Sequence, residues 1–378
     1  MTDMKKLLLL AVCLFAVNSA FAGDVKFLVS EDLSYDDNIY LTDGNEKDSF
    51  ISSTKAGVNY SNPIAGTGLN LSATALGGYD AYTEDNGKNG FWNAYANVDV
   101  KGDTLNIGDS FVYTSDQANS ELTERAKRLN NNVYFSARTS KEKTFGLGVV
   151  ANDSYDYYLD NPWKYDLTRN RVNAGVQAFY NISAKTSAFV EYVYTNIAYR
   201  DNTDSDSDGS TFALGIEGKL APKVSGVAKI NYVMRDWSHD IEGYSSYEDL
   251  LGYYVAVEWN PTARNTVRLA GERKFEESVY ENNRYFADTL VSLYGSHKLT
   301  DKFTAGLTLA YENMDYDREN NAGKKRNDDL FTVRPELGYQ FKEWLSAGAW
   351  YQWRTRNSNT NGNDYDSNKG GVFVKAIF

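Results

Sequence analysis

The chain has 378 residues, of which 14% are aromatic, but it contains only 5 Pro, 2 His and 1 Cys. A single Cys excludes a disulfide framework and zinc sites built on cysteine. The 39 basic residues are outnumbered by 51 acidic ones, which argues against a nucleic-acid surface. An aromatic-rich, nearly Cys-free chain of this length predicts a β protein with many short strands and polar connections.

The N-terminal segment has the features of an export signal. Lys5 and Lys6 precede an apolar run from Leu7 to Val17, and a small-x-small site follows at Ala20–Ala22. The run holds about eleven residues, whereas about 20 are needed to cross a bilayer as a helix. The sequence therefore predicts a signal peptide over residues 1–22 and a mature exported chain over residues 23–378.

Short and long connections alternate along the mature chain. Tight turns are predicted at Asn62–Gly68, Lys101–Asp103, Ser140–Lys143, Ser183–Lys185, Ala221–Lys223, Pro261–Arg264, Thr300–Lys302 and Lys342–Trp344, with longer polar stretches between them. The intervening segments alternate with period two, as in Val172 to Tyr180, where apolar residues oppose Arg171, Asn173 and Gln177. This rhythm predicts eighteen strands, eight short turns and nine long loops.

An even number of amphipathic strands in an exported chain predicts an all-β fold, a transmembrane antiparallel up-and-down β-barrel of about 18 strands in the outer membrane of a Gram-negative-type bacterium. A soluble sandwich or solenoid is the alternative, but it would not need an export signal and interfacial aromatics. Such aromatics are predicted at Tyr35, Tyr79, Trp92, Tyr113, Tyr199 and Trp237 on the loop side, and at Trp259 and Trp344 on the turn side. Pro335 inside a strand predicts a local bulge. Glu31, Asp109 and Arg273 on the lipid face predict either a bulge or a local error in the assigned register.

Charged residues on the opposite face of the strands are predicted to line the pore. They are Lys55, Arg138, Arg171, Glu191, Lys229, Arg235, Arg268, Glu272, Arg334 and Arg354. Eighteen strands enclose a lumen wide enough for water and solutes. Because both signs are present, weak ion selectivity is expected unless loops narrow the pore.

The chain ends with Val372, Val374, Ala376 and Phe378 on one face of the last strand. This ending resembles the C-terminal signal of bacterial outer-membrane proteins, and the resemblance implies the barrel-assembly machinery as a partner.

Two sequence features bear on metal binding and catalysis. Asp204, Asp206 and Asp208 alternate before Gly209, like the first half of a calcium loop, but Gly215 occupies the position where a twelfth-residue Glu is needed. A looser calcium site is one interpretation and a solvated loop is the simpler one; no other cofactor is predicted. His239 and His297 lack a recognisable nucleophile motif, so the sequence predicts no enzyme, with an outer-membrane hydrolase as the remote alternative.

The segment Leu33–Tyr40, followed by Asp48–Ile51, resembles the opening hairpin of a family of bacterial β-barrel porins. The resemblance implies a connection with exopolysaccharide or capsule export. The prediction is a pore for passive passage of hydrophilic solutes or export of a polysaccharide. The alternative is a plugged or gated barrel whose acidic loops bind surface polymers or divalent ions. Outer-membrane lipid, lipopolysaccharide and the solute are the expected partners.

Overall fold

A computed structural model describes residues 23–117, 119–239 and 245–378. The predicted signal peptide over residues 1–22 lies outside these residues. The strands are β1 (Asp24–Asp36), β2 (Ser49–Ile64), β3 (Leu69–Tyr82), β4 (Phe91–Lys101), β5 (Leu105–Gln117), β6 (Arg125–Arg138), β7 (Phe145–Tyr158), β8 (Arg169–Ser183), β9 (Thr186–Tyr199), β10 (Ser207–Ala221), β11 (Val224–Trp237), β12 (Tyr247–Thr262), β13 (Asn265–Glu277), β14 (Tyr285–Lys298), β15 (Phe303–Glu319), β16 (Lys325–Lys342), β17 (Leu345–Ser358) and β18 (Tyr365–Ile377). Single helical turns occur at Asn86–Asn89 and Trp163–Asp166, and a 3-10 turn at Thr203–Ser205. No helix in the described ranges is long and apolar enough to cross a membrane.

The strands form one closed antiparallel sheet. Each strand pairs with its neighbours in the chain, and β1 pairs with β18 through a register that joins Leu28 to Ile377. Two backbone hydrogen bonds complete the seam, from Phe27 N to Phe378 O at 2.7 Å and from Phe378 N to Phe27 O at 3.0 Å. Because β1 and β18 pair with each other, neither end of the described sheet is left as a free edge, which is what a hydrocarbon environment requires. The predicted eighteen-stranded barrel, with short turns at one end and long loops at the other, is confirmed.

The outer face carries the apolar residues of the alternating strands. Leu147, Val176 and Leu214, for example, are 67%, 57% and 57% exposed outside a bilayer. Aromatic pairs border this belt. On the turn side the pairs are Phe145–Tyr180 and Phe303–Tyr339, with ring centroids 5.6 and 4.5 Å apart. On the loop side they are Tyr35–Phe50, Tyr79–Trp92 and Tyr311–Phe331, with ring centroids 5.0, 4.9 and 4.9 Å apart. These pairs form the interfacial girdles expected of an outer-membrane barrel.

Two of the aromatics predicted for the loop-side girdle face the lumen instead. Tyr199 and Trp237 are 6% and 4% exposed. The Tyr199 hydroxyl donates to Glu277, and the Trp237 ring stacks on Tyr285. Both positions share the inner face with Arg235, and the loop-side segments that cover them keep them away from lipid. The prediction for these two residues was wrong.

The expected bulges at the polar residues of the lipid face are absent. The registers around Glu31 and Asp109 are continuous, Arg273 keeps its register with β14 although it is the last residue of β13 paired with β12, and all three side chains point outward. Each finds a polar partner on the next strand. Ser52 Oγ donates to Glu31 at 2.6 Å, Asn131 Nδ2 to Asp109 at 2.7 Å, and Arg273 Nη1 to Thr289 Oγ1 at 2.6 Å. Hydrogen bonding to a neighbouring side chain therefore replaces the predicted distortion.

Pro335 also lies in an unshifted strand. The β16–β17 ladder passes from the Val333–Trp353 pair to the Glu336–Trp350 pair in the same register, with the two intervening pairs missing. On the other side Pro335 still pairs with Leu307. Because proline has no N–H to donate, the ladder is interrupted locally, while the flanking pairs hold the register. A bulge was predicted here, and that prediction was wrong.

Candidate functional site in the barrel lumen

The ten charged residues predicted to line the pore all lie on the inner face of the barrel, opposite in parity to the exposed apolar residues. They are Lys55, Arg138, Arg171, Glu191, Lys229, Arg235, Arg268, Glu272, Arg334 and Arg354. Two of them lie together, with Lys229 Nζ 2.7 Å from Glu191, and Arg138 pairs with Glu217, another charged residue of the inner face. Their role in passage of a solute stays a prediction.

The turn-side half of the lumen is open. The ion pair between Arg268 and Glu258 (2.8 Å) is exposed, with 60% and 39% of the two side chains accessible. At the rim of this end the turns enclose a cavity of about 840 Å³ whose walls include Lys141, Lys185 and Lys219. Water therefore reaches the inner charges from the turn side.

The loop-side half is narrowed by a hairpin that leaves the wall. The β12–β13 ladder stops at the Tyr253–Arg273 pair, although β12 begins at Tyr247 and β13 continues to Glu277. The pairing between β13 and β14 persists to the hairpin tip. The tip therefore bends inward as a unit, and Glu277, only 1% exposed, reaches residues of β8, β9 and β11.

Glu277 holds this tip against the inner faces of β8, β9 and β11. Its carboxylate lies 2.8 Å from Arg235 Nη2, accepts from the Tyr199 hydroxyl at 2.8 Å and lies 3.5 Å from Arg171 Nη2. Arg235 is itself only 5% exposed. A buried ion pair with further hydrogen bonds resists loss of either partner, because the charge that remains would be buried and unpaired.

A second segment meets the hairpin from across the barrel. Asn119 Nδ2 donates to the backbone oxygen of Glu277 at 3.0 Å, and Ser278 Oγ donates to Glu121 at 2.9 Å. Arg356 Nη1 donates to the backbone oxygens of Ser120 and Glu121 at 3.0 and 3.2 Å. The β5–β6 and β13–β14 connections are eight strands apart in one direction and ten in the other. Residues 119–122 and 277–280 therefore form a cross-lumen bridge.

The carboxyl group of Glu121 lies at the centre of this bridge and is 5% exposed. Burial raises the pKa of Glu121 to about 7, against the opposing effects of the Ser278 hydroxyl and Arg326. Its protonation state consequently changes near neutral pH.

The two sides of the bridge differ. Towards β14–β18 the space is filled by Phe286, Met314 and Tyr316, and by Arg326, whose guanidinium lies 2.9 Å from Asp328. Towards β8–β11 a cavity of about 250 Å³ remains. Its polar lining includes Arg171, Asn173, Thr211, Asn231, Arg235 and Lys274. This cavity is the candidate site of solute passage.

Glu277 and Glu121 are functional candidates that were not predicted from the sequence. Strand parity assigns Glu277 to the lipid face, on the side of Phe275, and Glu121 lies in a connection without periodicity. One feature of the sequence could have identified Glu277. It is a charged residue at an outer position near the end of its strand, directly after Glu276, whereas the other outer positions of that strand are largely apolar.

The predicted calcium residues are dispersed. Asp206 Oδ1 accepts from the backbone N–H of Tyr199 at 2.6 Å, while Asp208 faces outward and accepts from Asn196 at 3.0 Å. Within residues 23–117, 119–239 and 245–378, no group of three or more His, Cys, Asp or Glu side chains is arranged to hold a metal ion. His239 contacts the backbone oxygen of Thr203 at the loop end, and His297 contacts Asn265 at the turn end.

The family described as "Putative beta-barrel porin 2" matches residues 25–378. The chain belongs to this porin family. The porin therefore lies in the outer membrane of a Gram-negative bacterium, surrounded by lipid and lipopolysaccharide, and its relatives in the family are porins rather than enzymes.

Solved structures share the fold of the porin. The outer-membrane protein opdK of Pseudomonas aeruginosa is 11% identical with a TM-score of 0.53, covering 94% of this chain and 99% of that one. OccAB4 of Acinetobacter baumannii is 12% identical with a TM-score of 0.50, covering 96% and 100%. Identities this low support the barrel architecture alone. No curated protein matches the sequence.

Proposed function

We propose that this porin lets small hydrophilic solutes cross the outer membrane by passive diffusion. The observation that carries the proposal is a charged lumen, open from the turn side through the exposed Arg268–Glu258 pair, that continues into a polar cavity beside the cross-lumen bridge. A solute would move along the inner face, exchanging water for side-chain contacts, without any chemical step.

Small solutes suit this lumen better than a polymer. The bridge spans the loop-side half, and the space beside it towards β14–β18 is filled by buried side chains. The remaining cavity of about 250 Å³ corresponds to roughly eight water molecules at about 30 Å³ each. Export of a polysaccharide would require the bridge to withdraw.

The gated barrel remains the second candidate, and the bridge itself favours it. Its contacts join segments from nearly opposite walls through a few hydrogen bonds, an arrangement that separates if either segment moves. In this reading the porin would conduct only when residues 119–122 and 277–280 part.

Single-channel conductance of refolded residues 23–378 in a planar bilayer tests these alternatives. Steady conductance steps that short oligosaccharides block incompletely would support a small-solute pore. Absence of conductance from a folded, heat-modifiable barrel would refute passive diffusion. Long closed periods with brief openings would support the gated barrel.

A further inference from the structure

Eight consecutive strands present a row of uncharged polar side chains to the lumen. Each member is paired in the ladder with the member on the next strand, except that Asn132 and Asn152 are offset by one inner position. All eight residues are partly exposed. This neutral row consists of one residue from each of the strands β2 to β9: Asn59, Thr74, Asn97, Ser110, Asn132, Asn152, Asn173 and Thr195.

Hydrogen bonds join members of the neutral row side by side. Near its start, Asn59 Nδ2 donates to Thr74 Oγ1 at 2.8 Å. Near its end, Asn173 Nδ2 donates to Asn152 Oδ1 at 3.1 Å, and Thr195 Oγ1 donates to Asn173 Oδ1 at 2.7 Å. An amide has two donor hydrogens and an acceptor oxygen with two lone pairs, so these partly exposed groups keep hydrogen-bonding capacity toward the lumen.

Few charges adjoin the neutral row. Among the inner positions two residues before or after each member, only Asp99 and Arg171 are charged. The far side of the barrel differs, since three successive inner positions of β13 hold Glu272, Lys274 and Glu276. A solute that follows β2 to β9 therefore meets mostly amide and hydroxyl groups.

The neutral row leads from the turn side of the lumen to the cavity beside the bridge. Asn59 lies five residues from Ile64, the turn-side end of β2, whereas Thr195 lies nine residues from Thr186, the turn-side end of β9. Strands in such a barrel are tilted by about 35–45°, so a row that crosses them at right angles climbs along the pore axis. Its last two members, Asn173 and Thr195, line the cavity.

The charged groups at the cavity already have partners. Arg235 Nη2 and Arg171 Nη2 lie 2.8 and 3.5 Å from Glu277, and Lys274 Nζ lies 2.9 Å from Glu272. An ion that loses water here gains little from charges that are already paired. A hydroxyl group exchanges water for an amide or hydroxyl partner at little net cost. Such neutral groups in the cavity wall are Asn173, Thr195, Thr211 and Asn231.

We propose that the neutral row and the cavity favour uncharged polyhydroxylated solutes of monosaccharide size. The inference rests on the proposed diffusion pore and specifies its substrate class. A solute hydroxyl both donates and accepts, as the groups of the row do, so the solute can move from one member to the next without leaving a polar group unpaired. Several weak and similar sites in succession permit both entry and release.

Three probes of similar size separate the effect of charge from that of size: glucose, gluconate and glucosammonium, the protonated form of glucosamine. Uptake of each labelled probe into proteoliposomes containing refolded residues 23–378 is measured at pH 6 and physiological ionic strength. Glucose is expected to enter faster than either ion.

Asn152→Asp introduces a charge into the neutral row with almost no change in shape. It should lower gluconate uptake and raise glucosammonium uptake severalfold relative to glucose, because a fixed carboxylate acts on ions that pass within a Debye length of about 8 Å. Gln352→Glu is the matched control. It makes the same change at an inner position of β17, seven residues from the turn-side end of its strand, as Asn152 is on β7. β17 lies eight strands from β7 in one direction and ten in the other, so this control should leave the ratio of the two ions unchanged.

Asn152→Leu removes the amide at nearly constant volume. Glucose uptake should fall by about two- to fivefold, as the net loss of one hydrogen bond implies. If this variant fails to give a heat-modifiable barrel, Thr74→Val tests the neutral row nearer the turn side.

The outcomes separate the inference from the proposed function. Absence of uptake of every probe by a folded barrel would overturn the diffusion pore and the inference together. Uptake of all three probes without a preference for glucose would leave the pore standing and overturn the inference. An equal change in the ratio of the two ions in Asn152→Asp and Gln352→Glu would also overturn it, because solutes would then not follow the neutral row.

Discussion

Replacing Glu277 by Gln should release the hairpin that narrows the lumen. The carboxylate is 1% exposed and its main partner Arg235 is 5% exposed, so the substitution leaves a buried guanidinium without its counter-charge. Breaking such a pair costs about 3–5 kcal/mol. The lower figure applies, because the amide oxygen of Gln still accepts a hydrogen bond. About 3 kcal/mol corresponds to roughly a hundredfold shift toward the withdrawn hairpin.

Two assays report this shift. In planar bilayers Glu277→Gln should show higher and noisier conductance than the parent protein. The second assay uses Val279→Cys in refolded residues 23–378, a range that contains no other cysteine. Labelling of this thiol by a membrane-impermeant maleimide should be faster when Glu277→Gln is also present, because Val279 belongs to the cross-lumen bridge.

Glu258→Gln is the matched control, because it makes the same chemical change beside the same type of partner. Glu258 and Arg268 are 39% and 60% exposed, and solvent screens such a pair so strongly that it contributes little to stability. Conductance noise and labelling should therefore stay near parent values. Unchanged conductance and labelling in Glu277→Gln would refute the claim that this carboxylate holds the hairpin inward.

Three further predictions concern the bridge, the seam and the interrupted ladder. Burial raises the pKa of Glu121 to about 7, so the docked bridge binds a proton more tightly than the undocked one. Docking is therefore favoured at low pH and weakens as pH rises through 7. Conductance should increase between pH 6 and 8, and Glu121→Gln should flatten that dependence. Phe378→Ala keeps the backbone hydrogen bonds to Phe27 and should lower the free energy of unfolding of the refolded barrel by no more than about 1–2 kcal/mol. The amount of barrel assembled in cells should nevertheless fall severalfold. A loss of stability large enough to account for the loss of assembled barrel would argue against an assembly signal. Pro335→Ala should restore a hydrogen bond between β16 and β17 and stabilise the barrel by about 0.5–1.5 kcal/mol, measured as a higher midpoint of urea unfolding in lipid. A lower midpoint would contradict the explanation of the missing pairs.

The number of strands and the direction of each side chain could be predicted from the sequence, because lipid outside the wall and water inside it require apolar and polar residues to alternate. Val172 to Tyr180 and Leu345 to Trp353 carry apolar or aromatic residues at each outer position, and these positions are those predicted. The same rule misplaced Tyr199 and Trp237, since it treats each strand end as a membrane interface. Their actual surroundings are lumenal loops, which are positioned by contacts distant in sequence.

The cross-lumen bridge could not be predicted from the sequence, for a related reason. Glu277 has the parity of the outer face, and it becomes lumenal only because β13 separates from β12 above Arg273. That separation is stabilised by Arg235 and Tyr199 on other strands and by Asn119 from nearly opposite in the barrel. Periodicity describes a residue's own strand and contains no information about such partners.

The presence of both signs of charge in the lumen predicted weak ion selectivity. The structure shows that the arrangement of these charges differs between the two halves of the lumen. Lys229 with Glu191, and Arg268 with Glu258, are neighbouring pairs whose fields largely cancel for a passing ion. In the loop-side half Glu277 is instead shared by Arg235 and Arg171, and Lys274 is shared by Glu272 and Glu276, in a region where burial excludes much of the screening water. A charge balance near zero for the whole lumen therefore conceals local excesses of either sign in its loop-side half.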